Sequence, residues 1–255
     1  SLIFDMDNDG FKDIFVTNGL YHDLTDQDFL NYFANSIIQK MAITGKKEEI
    51  EAIINKMPST PITNYAFKNN HNLKFSNEAI NWGFKEKTYS NGAAYSDLDN
   101  DGDLDLIINN VNQKSLVYEN TTSQKLKHTY LSIQLKGDSN NTFGIGAQVK
   151  LYSKNQIFMQ EQMPSRGFQS SVDYKLVFGL DSIKKIDSIK VFWPNKKVQK
   201  LNSIPTNQNL VIDINNAKKG PETIENDISK KYFTNLNQPF RAHNENEYVD
   251  FNFEG

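Results

Sequence analysis

The chain has 255 residues, of which 38% are hydrophobic and 23% charged, with a net charge of −3. No apolar run approaches the roughly 18 residues of a membrane span, and no basic-then-apolar signal opens the chain. Arg166 and Arg241 are the two arginines among 28 basic residues, which leaves few bidentate phosphate readers and argues against nucleic acid, and the absence of cysteine excludes disulfides, thiolate metal sites and a cysteine nucleophile.

The first element is a loop. Residues 3–18 read IFDMDNDGFKDIFVTN, and residues 95–110 read YSDLDNDGDLDLIINN. Both give D-x-D-N-D-G-x-x-D followed by an apolar, β-branched strand. One copy supplies Asp5, Asp7, Asp9 and Asp13; the other supplies Asp97, Asp99, Asp101 and Asp105. Carboxylates at alternate positions, then Gly10 or Gly102 for a sharp turn, suit a loop that wraps a hard, oxygen-seeking cation. The seventh residue, Phe11 or Asp103, can offer its backbone carbonyl. An EF-hand closes with Glu at position twelve between helices. Here Asp closes at position nine, and strands 14–17 and 106–109 follow directly. Uncompensated, four carboxylates within nine residues would repel one another, so a Ca²⁺ ion in each loop is expected. Its expected role is to add binding energy to folding energy where apolar residues are few.

Between the copies, residues 26–41 place Phe29, Phe33, Ile37 and Met41 on one helical stripe, with Thr25 and Asp28 as a capping box and Gly45 as the stop. Residues 46–57 form a second short helix with Ile50, Ile53, Ile54 and Met57 as its face and Pro58 as its end. This pair is a helical insertion at about 25–57. Residues 64–94 return to short strands and turns rich in Asn, of which the chain has 32, a residue suited to left-handed turn positions. VYEN at 117–120 is another strand, and Phe67 and Tyr118 read as the recurrent aromatic of each repeat.

From His128 the text changes to strands of five to nine residues: TYLSIQLKG, GIGAQVKLYS, IFMQEQM, YKLVFGL, IDSIKVFWP and NLVIDI. The predicted fold is mainly β: repeat blades with a helical insertion over 1–127, then a β-sandwich-like domain over 128–214. Residues 215–255 form a polar linker and the start of a further domain.

The two D-x-D-N-D-G-x-x-D motifs resemble the FG-GAP or VCBS repeat of calcium-binding β-propellers. The series GIGAQVKLYS, QEQMPSRGFQSS, YKLVFGL and IDSIKVFWPN resembles the ASPIC/UnbV domain that follows such propellers in extracellular proteins, including the cartilage acidic protein family. HDLTDQDFLNYFAN, NYAFKNN and HNENEYVDF are similar to a large Bacteroidetes surface-protein version with a second propeller. The resemblance implies Ca²⁺ ligands at Asp5, Asp7, Asp9, Phe11 and Asp13, and at Asp97, Asp99, Asp101, Asp103 and Asp105, with the carbonyls of Phe11 and Asp103 contributing. Two repeats cannot close a ring. The chain is therefore expected to be a fragment, with any signal or lipid anchor in a missing N-terminal part.

No P-loop, nucleophile elbow or H-E-x-x-H occurs. GIGAQVK reads as a turn entering a strand. His22 with Asp23, lone His71 and His128, and His243 with Glu245, Glu247 and Asp250 read as loop residues, and Ser170 and Ser171 as a turn. No catalytic residue is expected, and bound carboxylates are not free to shuttle protons. The expected function is a non-catalytic, calcium-stabilised binding or scaffold protein at the bacterial cell surface or outside the cell. The resemblance implies an accessory lipoprotein of an outer-membrane uptake or secretion complex, meeting the membrane through its anchor or a partner. The alternative is a glycan-binding protein feeding a transporter, with Trp82, Phe84, Tyr89, Tyr95, Phe192 and Trp193 as stacking platforms, although such aromatics are more often core residues. A hydrolase with its site elsewhere ranks last.

Overall fold

Alternating burial along short strands sets the architecture. The structure, a computed structural model, describes residues 1–22, 27–28, 31, 35–45, 57–154 and 156–220. Of these, Ser1–Gly220 form one compact unit. β1 (Leu2–Phe4) turns Leu2 and Phe4 inward and leaves Ile3 exposed; it pairs antiparallel with β2 (Asp13–Val16), in which Asp13 and Phe15 are buried. The first acidic loop is the connection between them.

The helix α1 (Asn35–Thr44) buries Ile37 and half-buries Met41. It ends at Thr44, just before the expected stop at Gly45, whose N–H donates to the Met41 carbonyl at 2.9 Å with φ at +67°. Thr25, Phe29, Phe33 and the helix predicted over 46–57 lie outside the described residues, Met57 apart. Short strands follow: β3 (Ile62–Thr63), β4 (Tyr65–Asn69), β5 (Phe75–Asn77) and β6 (Lys87–Thr88). The order β1-β2-β4-β5 makes a four-stranded sheet, while β3 pairs with β6.

The second acidic loop joins β7 (Ser90–Ser96) to β8 (Asp105–Asn110), and β9 (Leu116–Tyr118) completes a three-stranded sheet β7-β8-β9. A short helix, α2 (Thr122–Leu126), follows. The inward faces of these two sheets share a core that includes Leu2, Phe4, Phe15, Phe84, Leu106 and Ile108. Mainly β architecture is therefore present, as separate small sheets.

From Tyr130 eight strands form two more sheets. β13 (Lys175–Gly179), β10 (Tyr130–Lys136) and β16 (Gln208–Asp213) make the first, in the order β13-β10-β16, with β10 and β16 parallel. The second is β12-β11-β14-β15-β17, built from β11 (Gln148–Ser153), β12 (Gln156–Glu161), β14 (Lys185–Phe192), β15 (Lys197–Pro205) and β17 (Lys218–Lys219). Leu131, Ile133, Val149, Leu151, Ile189 and Val191 fill the core these sheets share, and each fully buried side chain of this kind contributes roughly 1.5–3 kcal/mol. β15 was not expected, because KVQKLNSIP lacks a clean apolar alternation. The polar text after 214 also begins inside this sheet: Lys218 pairs with Val198, and Lys219 with Lys197.

β13 links the two cores. Leu176 and Phe178 face the second core, and Val177 between them enters the first. Strand alternation thus pins residues 130–220 against the sheets that carry the acidic loops.

Candidate metal centres

In the first loop Asn8 takes a left-handed φ of +57° and Gly10 one of +90°; in the second Asn100 and Gly102 take +63° and +93°. These turns fold each loop back on its first aspartate. The N–H of Gly10 donates to Asp5 Oδ2 at 2.9 Å, and that of Gly102 to Asp97 Oδ1 at 3.4 Å. Farther along, the N–H of Phe11 donates to Asp9 Oδ1 at 2.9 Å, and that of Asp103 to Asp101 Oδ1 at 3.0 Å. The two loops share one internal scaffold.

Carboxylate oxygens of Asp5, Asp7 and Asp13 lie within 4.8 Å of one another in the first loop, as do those of Asp97, Asp99 and Asp101 in the second. Asp5, Asp7, Asp13 and Asp97 are buried. Asp13 and Asp105, expected as ligands, also accept backbone amides of the loop wall with both oxygens. Asp13 accepts from the N–H groups of Met6 (2.9 Å) and Asn69 (2.8 Å). Asp105 accepts from those of Leu98 (2.9 Å) and Asn120 (2.8 Å). Asp103, expected for its carbonyl, has a fully buried side chain that accepts from Asn8 Nδ2 at 2.9 Å and from the N–H of Ser123 at 2.6 Å. Asn8 Nδ2 also donates to the Gly102 carbonyl, so the two loops are tied directly together.

A hard divalent cation fits the first loop on a separate ground. Asp5 Oδ1 and Asp7 Oδ1 are buried without a hydrogen-bond partner among the described residues. Buried carboxylate oxygens left unpaired are costly, and an all-oxygen donor set matches Ca²⁺ chemistry. Asp5, Asp7 and Asp13 converge there, and Asp9 and the Phe11 carbonyl complete the set that would hold it; Asp97, Asp99, Asp101, the Asp103 carbonyl and Asp105 are their counterparts. Burial, with the charges of Asp9, Asp7 and Asp13 adding, pushes the Asp5 carboxyl well above the usual range. Burial also raises Asp13 and Asp103 to about 6 against backbone hydrogen bonds that lower them.

These shifts set a pH dependence for the chain with no cation bound. Folded Asp13 and Asp103 keep protons up to about pH 6, whereas the unfolded chain releases them near 3.8. The folded state binds more protons across that window, so stability falls as pH rises through it. Chelator-treated protein is expected to melt at a higher temperature at about pH 5 than at about pH 7.5, a trend that thermal unfolding in the two buffers checks.

Residues far along the chain close the site. Lys68 Nζ reaches Asp7 Oδ2 and Asp9 Oδ2, the latter at 3.0 Å. Burial opposes its charge, but the hydrogen bonds to Asp7 and Asp9 outweigh this and hold the ammonium protonated. His128 Nδ1 lies 2.7 Å from the Asp7 carbonyl, and its Nε2 lies 3.6 Å from Asp181. Read from the sequence as a lone turn residue, His128 is in fact packed on the first loop. The N–H of Asp181 donates to the Asn8 carbonyl at 2.9 Å. A Cβ on Gly10 would meet Phe158 at 2.7 Å, and one on Gly102 would overlap the Tyr130 ring. Lys175 Nζ lies 3.6 Å from Asp97 Oδ2 and hydrogen-bonds Asn100 Oδ1 at 2.7 Å.

The other candidates fall elsewhere. His22 Nδ1 lies 3.3 Å from the Met57 carbonyl, and His71 packs edge-on against Phe11. Asp23, His243, Glu245, Glu247 and Asp250 lie outside the described residues. Ser170 Oγ donates to the Phe168 carbonyl at 2.7 Å, and Ser171 bridges to Ser165. Of the aromatics read as platforms, Phe84, Tyr89 and Trp193 are buried, and Tyr95 and Phe192 are half-buried. Trp82 is half-buried and lines a cleft of about 270 Å³ with Phe84, Leu106, Tyr118 and Lys125. No described helix is long and apolar enough to cross a membrane. No curated protein matches the chain. Residues 137–219, which span most of the two sheets beyond the loops, match the family model ASPIC and UnbV.

Proposed function

We propose that the chain is a non-catalytic binding or scaffold segment whose shape is held by Ca²⁺, with FG-GAP/VCBS-type propeller blades over 1–127 presented beside the ASPIC and UnbV domain. The observation that carries this reading is the pair of buried, unpartnered oxygens of Asp5 and Asp7 inside a loop motif that occurs twice. An ion there fixes the loops before any partner arrives, which lowers the ordering cost of binding. The partner is a protein of an extracellular or outer-membrane assembly, and the setting is the bacterial surface, with membrane contact through an anchor or that partner.

Thermal unfolding with and without a chelator tests the ion. At a hundredfold excess of Ca²⁺ over its Kd, each loop contributes about 2.7 kcal/mol. For a chain of this size that lifts the melting temperature by roughly 5–10 °C per loop. An identical melting temperature in chelator and in millimolar Ca²⁺ would sink the structural-ion reading. A second reading, glycan binding, keeps one supporting feature, the Trp82 cleft with Asn81, Glu119 and Thr122 at its polar wall. Trp82→Ala abolishing glycan-array signal, while the melting temperature holds, is its expected result.

A further inference from the structure

The likeness of the two repeats continues past the ninth aspartate. Ile14 pairs with Phe67 in one sheet and Leu106 with Tyr118 in the other. This register makes Lys68 the counterpart of Glu119 and Asn69 the counterpart of Asn120. The asparagines confirm the match: both N–H groups donate to the ninth aspartate at 2.8 Å. Their side chains also donate to equivalent carbonyls, Asn69 to Lys12 at 3.1 Å and Asn120 to Leu104 at 3.2 Å. Between aromatic and asparagine, then, one repeat carries a cation and the other an anion.

The carboxylates differ accordingly. In the second loop the converging oxygens come from Asp97, Asp99 and Asp101, the first three acidic positions. In the first loop the fifth-position carboxylate, Asp9, is missing from the converging set and instead meets Lys68. Asp13 stands in for it, with both oxygens already accepting amides. Lys175 gives the second loop an ammonium too, but it lies against Asp97 and Asn100 and leaves Asp99 and Asp101 to other partners. Ser123 Oγ donates to Asp101 there, a neutral contact that does not cancel charge.

We infer that Lys68 is a built-in counter-ion that competes with the divalent cation for Asp7 and Asp9, so that the first loop fills at a higher Ca²⁺ concentration than the second. This rests on the calcium reading of the same loops. Site affinity follows the charge its ligands present, and an ammonium bridging two of them lowers that charge while repelling the ion. The buried oxygens of Asp5 and Asp7 that Lys68 leaves unpaired keep the loop receptive, so the site is weakened and not abolished.

Calorimetric titration of the full chain with CaCl₂, after chelation and dialysis, tests this with four variants whose folding is checked by circular dichroism. The wild type is expected to show two binding events separated by about tenfold or more, in line with the way ligand charge tunes such loops. Asp99→Asn should remove the tighter event. Lys68→Met, which keeps the aliphatic stem, and Lys68→Glu, which installs the second repeat's charge, should tighten the weaker event by about tenfold or more and leave the other in place. Glu119→Lys should weaken the tighter event. Two events that neither Lys68 variant moves overturn the inference while the calcium reading stands. So does a tighter event that survives Asp99→Asn. No heat of binding in the wild type or any variant overturns the calcium reading, and the inference with it.

Discussion

Asp13→Ala should lower the unfolding free energy by about 3 kcal/mol and the melting temperature by roughly 6–12 °C. Asp13 is fully buried, and its two oxygens accept from the amides of Met6 and Asn69 at 2.9 and 2.8 Å. Truncation leaves both amides facing an apolar gap, and each hydrogen bond to a charged acceptor is worth about 1.5–3 kcal/mol. Relief of a carboxylate that burial already strains offsets part of this, hence the lower end of the sum. Because the loss comes from the loop wall, it should persist in chelator. A melting temperature that falls in Ca²⁺ but holds in chelator would instead make Asp13 an ion ligand first and a wall residue second.

Gly179→Ala should be as damaging by a different route. A Cβ there would overlap Asp5 Oδ2 and stand 2.5 Å from Asn8 Cα and 2.7 Å from Asn8 C. A rotating side chain could yield, but two of these atoms are backbone of the first loop. Overpacking of this kind costs about 3 kcal/mol. On the proposed calcium reading it should also weaken Ca²⁺ binding at the first loop, because Asp5 and Asn8 must move, and leave the second loop's affinity in place. Gly146→Ala is the control. Gly146 has φ +83° but only Pro194 Cγ, at 3.5 Å, near its would-be Cβ, so backbone strain of roughly 1–2 kcal/mol is its whole expected cost. Equal losses in the two variants would show that contact with the loop is not what Gly179 provides.

The acidic loops were legible because their carboxylates are neighbours in sequence, and the strands because apolar residues alternate in them. Legibility failed where a site is built from distance. Lys68, His128, Lys175 and Gly179 meet the loops from 59 or more positions away, and nothing in their own surroundings marks them. Phe67 and Tyr118 were recognised as recurrent aromatics. The asparagine two positions after each, whose amide caps the ninth aspartate, repeats as plainly and was the available signal. Asp13 lies in the converging set as the pattern expects, but at the head of β2 and β8 it and Asp105 also accept backbone amides, a second task that a one-dimensional motif does not reveal. The aromatics needed the structure to sort them: Trp193 lies in the core of the sheets beyond the loops, while Trp82 lines a cleft.

Asn8 meeting Asp103, Asp7 meeting His128 and Asn8 meeting Asp181 also bear on how the chain comes to be folded. During synthesis the first loop emerges early, but its enclosure waits for the strand that ends at Gly179 to be made and threaded alongside. Until then four aspartates within nine residues stay hydrated and mutually repelling, a poor nucleus. Pairings of such long sequence separation fold slowly. The order of assembly is therefore set from the C-terminal side. The sheet that seals the first loop is itself built from strands distant in sequence, β10 with β13 and with β16, so the loop closes only once these have come together.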